Sequence, residues 1–308
     1  MAGTMNSPYL TIIIPTLQAE RTLGEALDSV LAQQFGNLEI LIMDSVSRDR
    51  TLDIVGDYAR RDSRLRIISQ PDKGIYDAMN KGIEAARGQW ILFLGSDDRL
   101  HDQRVLSTFA ELPGLETLDL VYGNVVSPSY KGVYDGEFDL RKLLRRNMPH
   151  QAIFHKKSLF GLLGGYTIHY RGYADWDFNI RCFKDSRVRK RYIDLVVAYF
   201  GSGGVSSRHD SPFLREVMIP EQLLLLKDHP HLLRSVTAFD QWWRLLRNAG
   251  IRDQAGLENY TRGAAVPRPL IRMARWQQKI PVRFLRIGAL SKTIMFINYI
   301  RNFLTASL

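Results

Sequence analysis

The stretch that most constrains this chain is Gln89-Trp90-Ile91-Leu92-Phe93-Leu94-Gly95-Ser96-Asp97-Asp98. Its apolar run reads as a strand buried on both faces. Two small residues follow, then two adjacent carboxylates. Asp is depleted in strand interiors, so the strand should end at Gly95. Asp97 and Asp98 then fall on the loop at a strand's carboxyl end, where open α/β sheets bind ligands. Two carboxylates on one short loop repel each other unless a cation or hydrogen-bond donors lie between them. A hard divalent cation, Mg2+ or Mn2+, shared with substrate phosphates meets that need. The plainer reading is a surface turn that caps a helix near Asp102–Ala110.

The preceding hundred residues favour the first reading. Tyr9–Ile14 is a short β-branched strand ending in Pro15-Thr16. Glu20–Gln34 sets Leu23, Leu27, Val30 and Leu31 on one helical face. Leu38–Met43 is a second buried strand, ending at Asp44 and a polar loop to Thr51. A helix then turns Leu52, Val55 and Ala59 inward, and Leu65–Ile68 is a third strand, followed by Gln70-Pro71-Asp72-Lys73-Gly74. Ile75–Ala86 reads as a helix, broken at Arg87-Gly88. Strands alternating with helices predict an α/β fold with a mostly parallel, Rossmann-like sheet. Thr16, Asp44, Asp72 and Asp97-Asp98 would converge on one edge of it. With a metal present, such an edge suits a nucleoside diphosphate. No Gly-x-x-x-x-Gly-Lys loop occurs, and no Gly-x-Gly-x-x-Gly follows the first strand. A P-loop protein and a dinucleotide-binding fold are thereby disfavoured.

The second half is less regular. Strands are expected at Leu118–Asn124, Gly132–Tyr134, Met148–Phe154 and Asp194–Phe200, with a basic helical turn at Arg141–Arg146. A helix opens near Asp175, where a carboxylate is favoured, and would turn Trp176, Ile180 and Phe183 inward. Gly201–Ser207 is a flexible loop running to His209. Helical patterns dominate from Pro212 on, at Phe213–Asp228 and at Leu232–Asn248 with Trp242 and Trp243.

Charge separates the tail from the rest. The chain of 308 residues carries a net +10, yet no acidic residue follows Glu258. Nine basic residues lie beyond it, from Arg262 to Arg301, interleaved with Ile, Leu, Phe and Trp. That pattern fits a helix lying on an anionic membrane surface, worth roughly 1 kcal/mol per basic residue near anionic lipid. Packing onto the rest of the chain and nucleic-acid binding are the other readings. The interleaved aliphatics argue against nucleic acid. One cysteine, Cys182, excludes an internal disulfide framework. No secretory signal is visible, and no apolar run reaches the ~20 residues needed to span a bilayer.

Six segments, in order, resemble family-2 glycosyltransferases of the GT-A fold. They are Ile12-Ile13-Ile14-Pro15-Thr16, the Asp44 loop, the run from Asp72 to Gly82, Gly95-Ser96-Asp97-Asp98, His150-Gln151-Ala152-Ile153-Phe154 and Ala174–Arg181. The last two are similar to a narrower group serving bacterial exopolysaccharide (colanic-acid-type) and mycobacterial phenolic glycolipid synthesis. The resemblance spans about residues 9–210 and stops short of the tail. It implies that Pro15, Thr16 and Asp44 line the base and ribose pocket, with Asp72, Lys73, Ser96 and Asp97 also on the nucleotide sugar. Asp98 would ligate the metal, and Asp175 would be the catalytic base. His150, Gln151, Trp176 and His209 are candidates for acceptor or diphosphate contacts. From the residues alone, Asp175 is equally a helix cap, Tyr76 reads as core, and Asp77, Asn80 and Lys81 read as a solvated helix face near the site. Two departures stand out. Ser45-Val46-Ser47 replaces a glycine-containing loop, and Val46 takes a positive φ only at a cost, which predicts a different base-binding loop. Ala174 stands where Glu often precedes the base.

The organisation expected is a catalytic domain at 1–211, a helical region at 212–258 and a basic amphipathic tail at 259–308. Within the first, the nucleotide-sugar half covers about 9–100 and the acceptor half about 101–211. The expected activity is inverting, metal-dependent transfer of a hexosyl group from a nucleoside-diphosphate sugar, a UDP-sugar before a dTDP- or GDP-sugar, to a lipid-linked or glycan acceptor. It would take place in the cytoplasm, on the inner membrane, with no nucleic-acid partner. A polyprenyl-phosphate glycosyltransferase and a silent nucleotide-sugar-binding scaffold are the alternatives.

Overall fold

A computed structural model describes residues 7–128, 132–134, 136–201, 210–228, 245–246 and 248–251. The linker and tail at 259–308, most of the Gly201–Ser207 loop, His209, and Trp242 with Trp243 lie outside the described residues. The chain forms two compact units, Met1–Arg208 and His209–Leu308.

In the first unit four strands lie parallel in the order β3-β2-β1-β4, with β1 at Leu10–Thr16, β2 at Leu38–Asp44, β3 at Leu65–Ser69 and β4 at Trp90–Phe93. The first two and β4 are buried along their whole length, as strands covered on both faces must be. Only Leu65 of β3 is buried, because β3 is the sheet's edge. Helices α1 (Leu23–Leu31), α2 (Thr51–Arg61) and α3 (Ile75–Ala85) make the crossovers. Pro15 inside β1 breaks no ladder bond. The odd-numbered residues of β1 face β4, since the Ile13 carbonyl accepts from Leu94 N–H, and β4 has ended by the level of Pro15.

The second half adds mixed pairing to the parallel half. It contributes β5 (Arg99–Leu100), α4 (Val105–Ala110), β6 (Leu120–Val126), β7 (Val133–Tyr134), α5 (Leu140–Leu143), β8 (Ile153–Lys156), α6 (Lys157–Leu163), α7 (Ala174–Lys184) and β9 (Lys190–Tyr199). β8 runs antiparallel to β4 and β6, while β9 runs parallel to β6 and antiparallel to β5. The strand expected at Met148–Phe154 is instead a 3-10 turn, His150–Ala152, feeding β8. Pro149 fixes the φ that opens that turn. β9 begins four residues earlier than expected, where Lys190 and Arg191 pair with Leu120 and Val121.

One aromatic cluster seats α7. Phe160 stacks on Phe178 at 4.7 Å, and Phe93, His155 and Tyr166 pack around them. Ile180 is buried as expected, but Trp176 and Phe183 are only half-buried.

The second unit opens with Asp210, whose carboxylate accepts from Phe213 N–H. Ser211–Phe213 is α-helical with Pro212 in its first turn, where a missing N–H costs nothing. A π-helical segment follows at Leu214–Met218, then α-helix from Ile219 to Asp228. The π segment lies just ahead of Pro220, which cannot donate to an i−4 carbonyl.

Candidate active site

Three clusters form along the carboxyl ends of the parallel strands and beside them. The first joins β1, β2 and β3, where the register aligns Thr16, Asp44 and Ser69. Asp44 is 2% exposed. Its carboxylate accepts from Thr16 Oγ1 at 3.2 Å, from Ser69 Oγ at 2.6 Å and from the Ser47 amide at 3.0 Å. Ser47 Oγ in turn accepts from Gln18 N–H at 2.9 Å, which ties the β1 and β2 loops together. Pro15 is buried in β1. Val46 takes the left-handed backbone at φ 54, which a β-branched residue adopts only under strain. The loop therefore keeps the conformation glycine would favour, contrary to the change expected from Val46. Val46 and Leu17, 46% and 61% exposed, present apolar surface beside the Asp44 pocket.

Asp72 and Lys73 are turned into local structure. Asp72 Oδ1 accepts from Gly74 N–H at 2.8 Å, and Lys73 N–H donates to Asp77 at 2.9 Å. Asp77 also pairs with Lys81 at 3.0 Å. These bonds shape the start of α3 and leave the Lys73 side chain exposed.

The second cluster is the Asp97-Asp98 loop, with Ser96 half-buried on it. Asp98 is 3% exposed. Its Oδ2 accepts from Gly95 N–H at 3.1 Å and its Oδ1 from Gly201 N–H at 2.8 Å. A side chain at either donor would disturb this loop. A Cβ on Gly95 would stand 2.5 Å from Asp98 Oδ2, and one on Gly201 2.5 Å from the Asp97 carbonyl oxygen. Burial pushes the Asp98 carboxyl up; the charge of His150 and the Gly201 amide pull it back, and Asp97 adds to the rise. Two adjacent oxygen-donor side chains suit a hard cation, which would relieve their repulsion. Among the described residues no group of three or more His, Cys, Asp or Glu could hold a metal. This loop thus fits a cation that takes its remaining ligands from substrate oxygens and water.

The third cluster surrounds Asp175, the second residue of α7. Its carboxylate accepts from the Tyr76 hydroxyl at 2.7 Å and from Asn147 Nδ2 at 2.8 Å. His150 Nδ1 stands 3.9 Å from Oδ2. Burial pushes the Asp175 carboxyl up, and the His150 charge and the Tyr76 hydrogen bond oppose this. His150 thus faces both Asp98 and Asp175 electrostatically and links the second and third clusters. Its Nε2, and both amide atoms of the fully buried Gln151, have no hydrogen-bond partner among the described residues. Buried groups in that state call for a ligand or water. Trp176 commits its indole N–H to the Leu143 carbonyl at 2.7 Å, leaving only its ring for contacts.

Helix α3 connects these clusters. Tyr76 reaches Asp175, and Asn80, one turn on, bonds the Tyr166 backbone at both its N–H and its carbonyl, at 2.8 and 2.9 Å. That pins the loop ahead of α7. Sequence reasoning places Tyr76 in the core, where it is buried, and Asn80 on a solvated face near the site, and it assigns no role to Ser47, Ser69 or Asn147. The i, i+4 spacing of Tyr76 and Asn80 on a helix starting at the site is the signal that points to them.

A half-parallel sheet with carboxylates at its strand ends agrees with the GT-A fold that the sequence resemblance implies. The chain belongs to glycosyl transferase family 2, whose family model matches residues 11–174. Proteins of Mycobacterium bovis and Mycobacterium tuberculosis named as PGL/p-HBAD biosynthesis glycosyltransferases are 43% identical over 224 residues, covering 71% of this chain and 88% of theirs. EpsJ of Bacillus subtilis, described as an uncharacterized glycosyltransferase, is 41% identical over 91 residues, covering 30% of this chain and 26% of its own. The fold resembles S. aureus TarS in complex with UDP-GlcNAc, with a TM-score of 0.61 and 17% identity over 87% of this chain and 88% of that one. It also resembles a Pyrobaculum calidifontis mannosyltransferase in complex with GDP-Man and Mn2+, with a TM-score of 0.53 and 16% identity over 91% and 82% of the two chains.

Proposed function

We propose that the protein transfers a sugar, with inversion, from a UDP-sugar to a lipid-linked or glycan acceptor in glycolipid or polysaccharide synthesis. The observation that carries this reading is the buried Asp175 carboxylate, held by two side-chain donors and sharing His150 with the Asp98 loop. The acceptor hydroxyl oxygen bonds to the anomeric carbon as the bond from that carbon to the diphosphate oxygen breaks. Asp175 takes the acceptor's proton, and the nucleoside diphosphate leaves with the electron pair. The first cluster receives base and ribose through Thr16 and Asp44, with Val46 and Leu17 against the base. Asp98, helped by Asp97, would hold Mg2+ or Mn2+, which neutralises charge on the diphosphate. His150, with its unpartnered Nε2, faces the leaving diphosphate.

The identity with the mycobacterial relatives supports a lipid-linked or phenolic-glycolipid acceptor, and the UDP-GlcNAc complex of a like fold supports a UDP-sugar donor. Nine basic and no acidic residues after Glu258 support binding of the 259–308 tail to the inner face of the membrane. Among the described residues no helix is long and apolar enough to cross a membrane. Thermal shift with UDP, GDP and dTDP, each with and without Mn2+, tests the donor site. Stabilisation by UDP only with metal is expected. No stabilisation of folded protein by any of the three would count against it.

A further inference from the structure

Asp175 is not oriented by its own helix alone. Besides the Trp176 backbone N–H, two side chains donate to it: the Tyr76 hydroxyl from 99 positions away and Asn147 Nδ2 from 28. Asn147 is itself held, because its amide oxygen accepts from Asn179 Nδ2 at 2.9 Å. That bond decides which end of the Asn147 amide faces the carboxylate. Asn179 is 1% exposed and Tyr76 8%, so bulk water has little access to either.

We propose that Tyr76 and the Asn179–Asn147 pair are positioning residues that hold the Asp175 carboxylate ionised and aimed at the acceptor hydroxyl. The inference rests on the reading of Asp175 as the base. A carboxylate offers about four lone-pair positions. The two side-chain donors fill one on each oxygen, the Trp176 backbone N–H donates as well, and His150 Nδ1 at 3.9 Å fills none. The open positions are therefore fixed in direction before an acceptor arrives, which is how proton transfer gains from orientation. The donors also offset part of the burial that favours the protonated acid. Among the described residues, Tyr76 from α3, Asn147 ahead of the 3-10 turn, His150 from that turn, and Tyr166 from the loop before α7 face Asp175. Burial raises both tyrosines well above their ordinary range, so they stay neutral hydroxyls.

The test is the pH profile of kcat for release of UDP with water as acceptor. The donors are UDP-glucose, UDP-galactose and UDP-N-acetylglucosamine, and the proteins are the full chain and its Tyr76→Phe, Asn147→Ala and Asp175→Asn variants. Loss of a hydrogen bond to a charged group lowers kcat of Tyr76→Phe about ten- to a hundredfold near neutrality. The acidic limb moves to higher pH, activity recovers as pH rises, and donor KM stays within about twofold. Asn147→Ala moves the limb in the same direction and guards against a misfolded Tyr76→Phe. An inactive Asp175→Asn beside a Tyr76→Phe whose profile is unmoved, or lowered equally at every pH, overturns the positioning role alone. Turnover by Asp175→Asn near the normal rate overturns the base reading, and the inference with it.

Discussion

His155→Phe should make the protein more resistant to mild acid. His155 is 1% exposed, both ring nitrogens lack partners among the described residues, and Phe93, Phe160 and Phe178 surround the ring. Burial, with the nearby His150 charge, lowers its pKa from 6.5 to about 3. A folded-state pKa below the unfolded one means the unfolded chain binds the proton more readily. The neutral ring's contribution is therefore intact above pH 6.5 and is lost as pH falls towards 3. Between pH 7.5 and 5.0 the loss comes to about 2 kcal/mol at 1.36 kcal/mol per unit. The phenyl ring cannot titrate, so the variant should lose about 2 kcal/mol less over that interval. Any packing cost of the larger ring is the same at both pH values and cancels. Urea unfolding at pH 7.5 and 5.0, compared between the two proteins, reads this difference directly. Equal losses in both would refute the assignment of His155 as a neutral core residue. Because His155 packs against Phe178 on the helix that bears Asp175, the variant also separates acid unfolding from titration of the base.

Val46→Gly should raise stability by about 1 kcal/mol, from strain relief of about 1–3 kcal/mol less the extra chain entropy of glycine, while KM for the nucleotide sugar rises as an apolar contact is lost. Denaturation and donor KM, measured together, check both halves. Asp98→Ala should abolish metal-dependent stabilisation by UDP, whereas Asp175→Asn should leave it intact and lower turnover at least a hundredfold; calorimetry and UDP release separate them. Cys182 is fully buried, with a thiol pushed up to about 12, and should react with a disulfide reagent only on unfolding. Full-length protein should sediment with anionic vesicles at low salt and detach at high salt, and removal of 259–308 should abolish this.

The first four strands were legible because each is an apolar run closed by a polar loop, a pattern burial on two faces imposes. The Asp44, Asp97-Asp98 and Asp175 positions were legible for the same reason, since carboxylates stand where strands and helices end or begin. Less visible were partners brought together by the fold. Tyr76 and Asp175 are 99 positions apart, and no periodicity links them. Ser69 meets Asp44 only through the register of two strands. The turn at His150 was misread because Gln151, Ala152 and Ile153 have the composition of a strand, while Pro149 decides the local geometry. Val46 was judged by its own φ preference, but hydrogen bonds from Ser47 and Gln18 hold its loop regardless.

The most direct measurement is the anomeric configuration of the sugar released when water serves as acceptor, followed by proton NMR before mutarotation. From an α-linked UDP-sugar, inversion with Asp175 as base predicts the β anomer first, and none from Asp175→Asn. The α anomer, or unchanged release by Asp175→Asn, would contradict it.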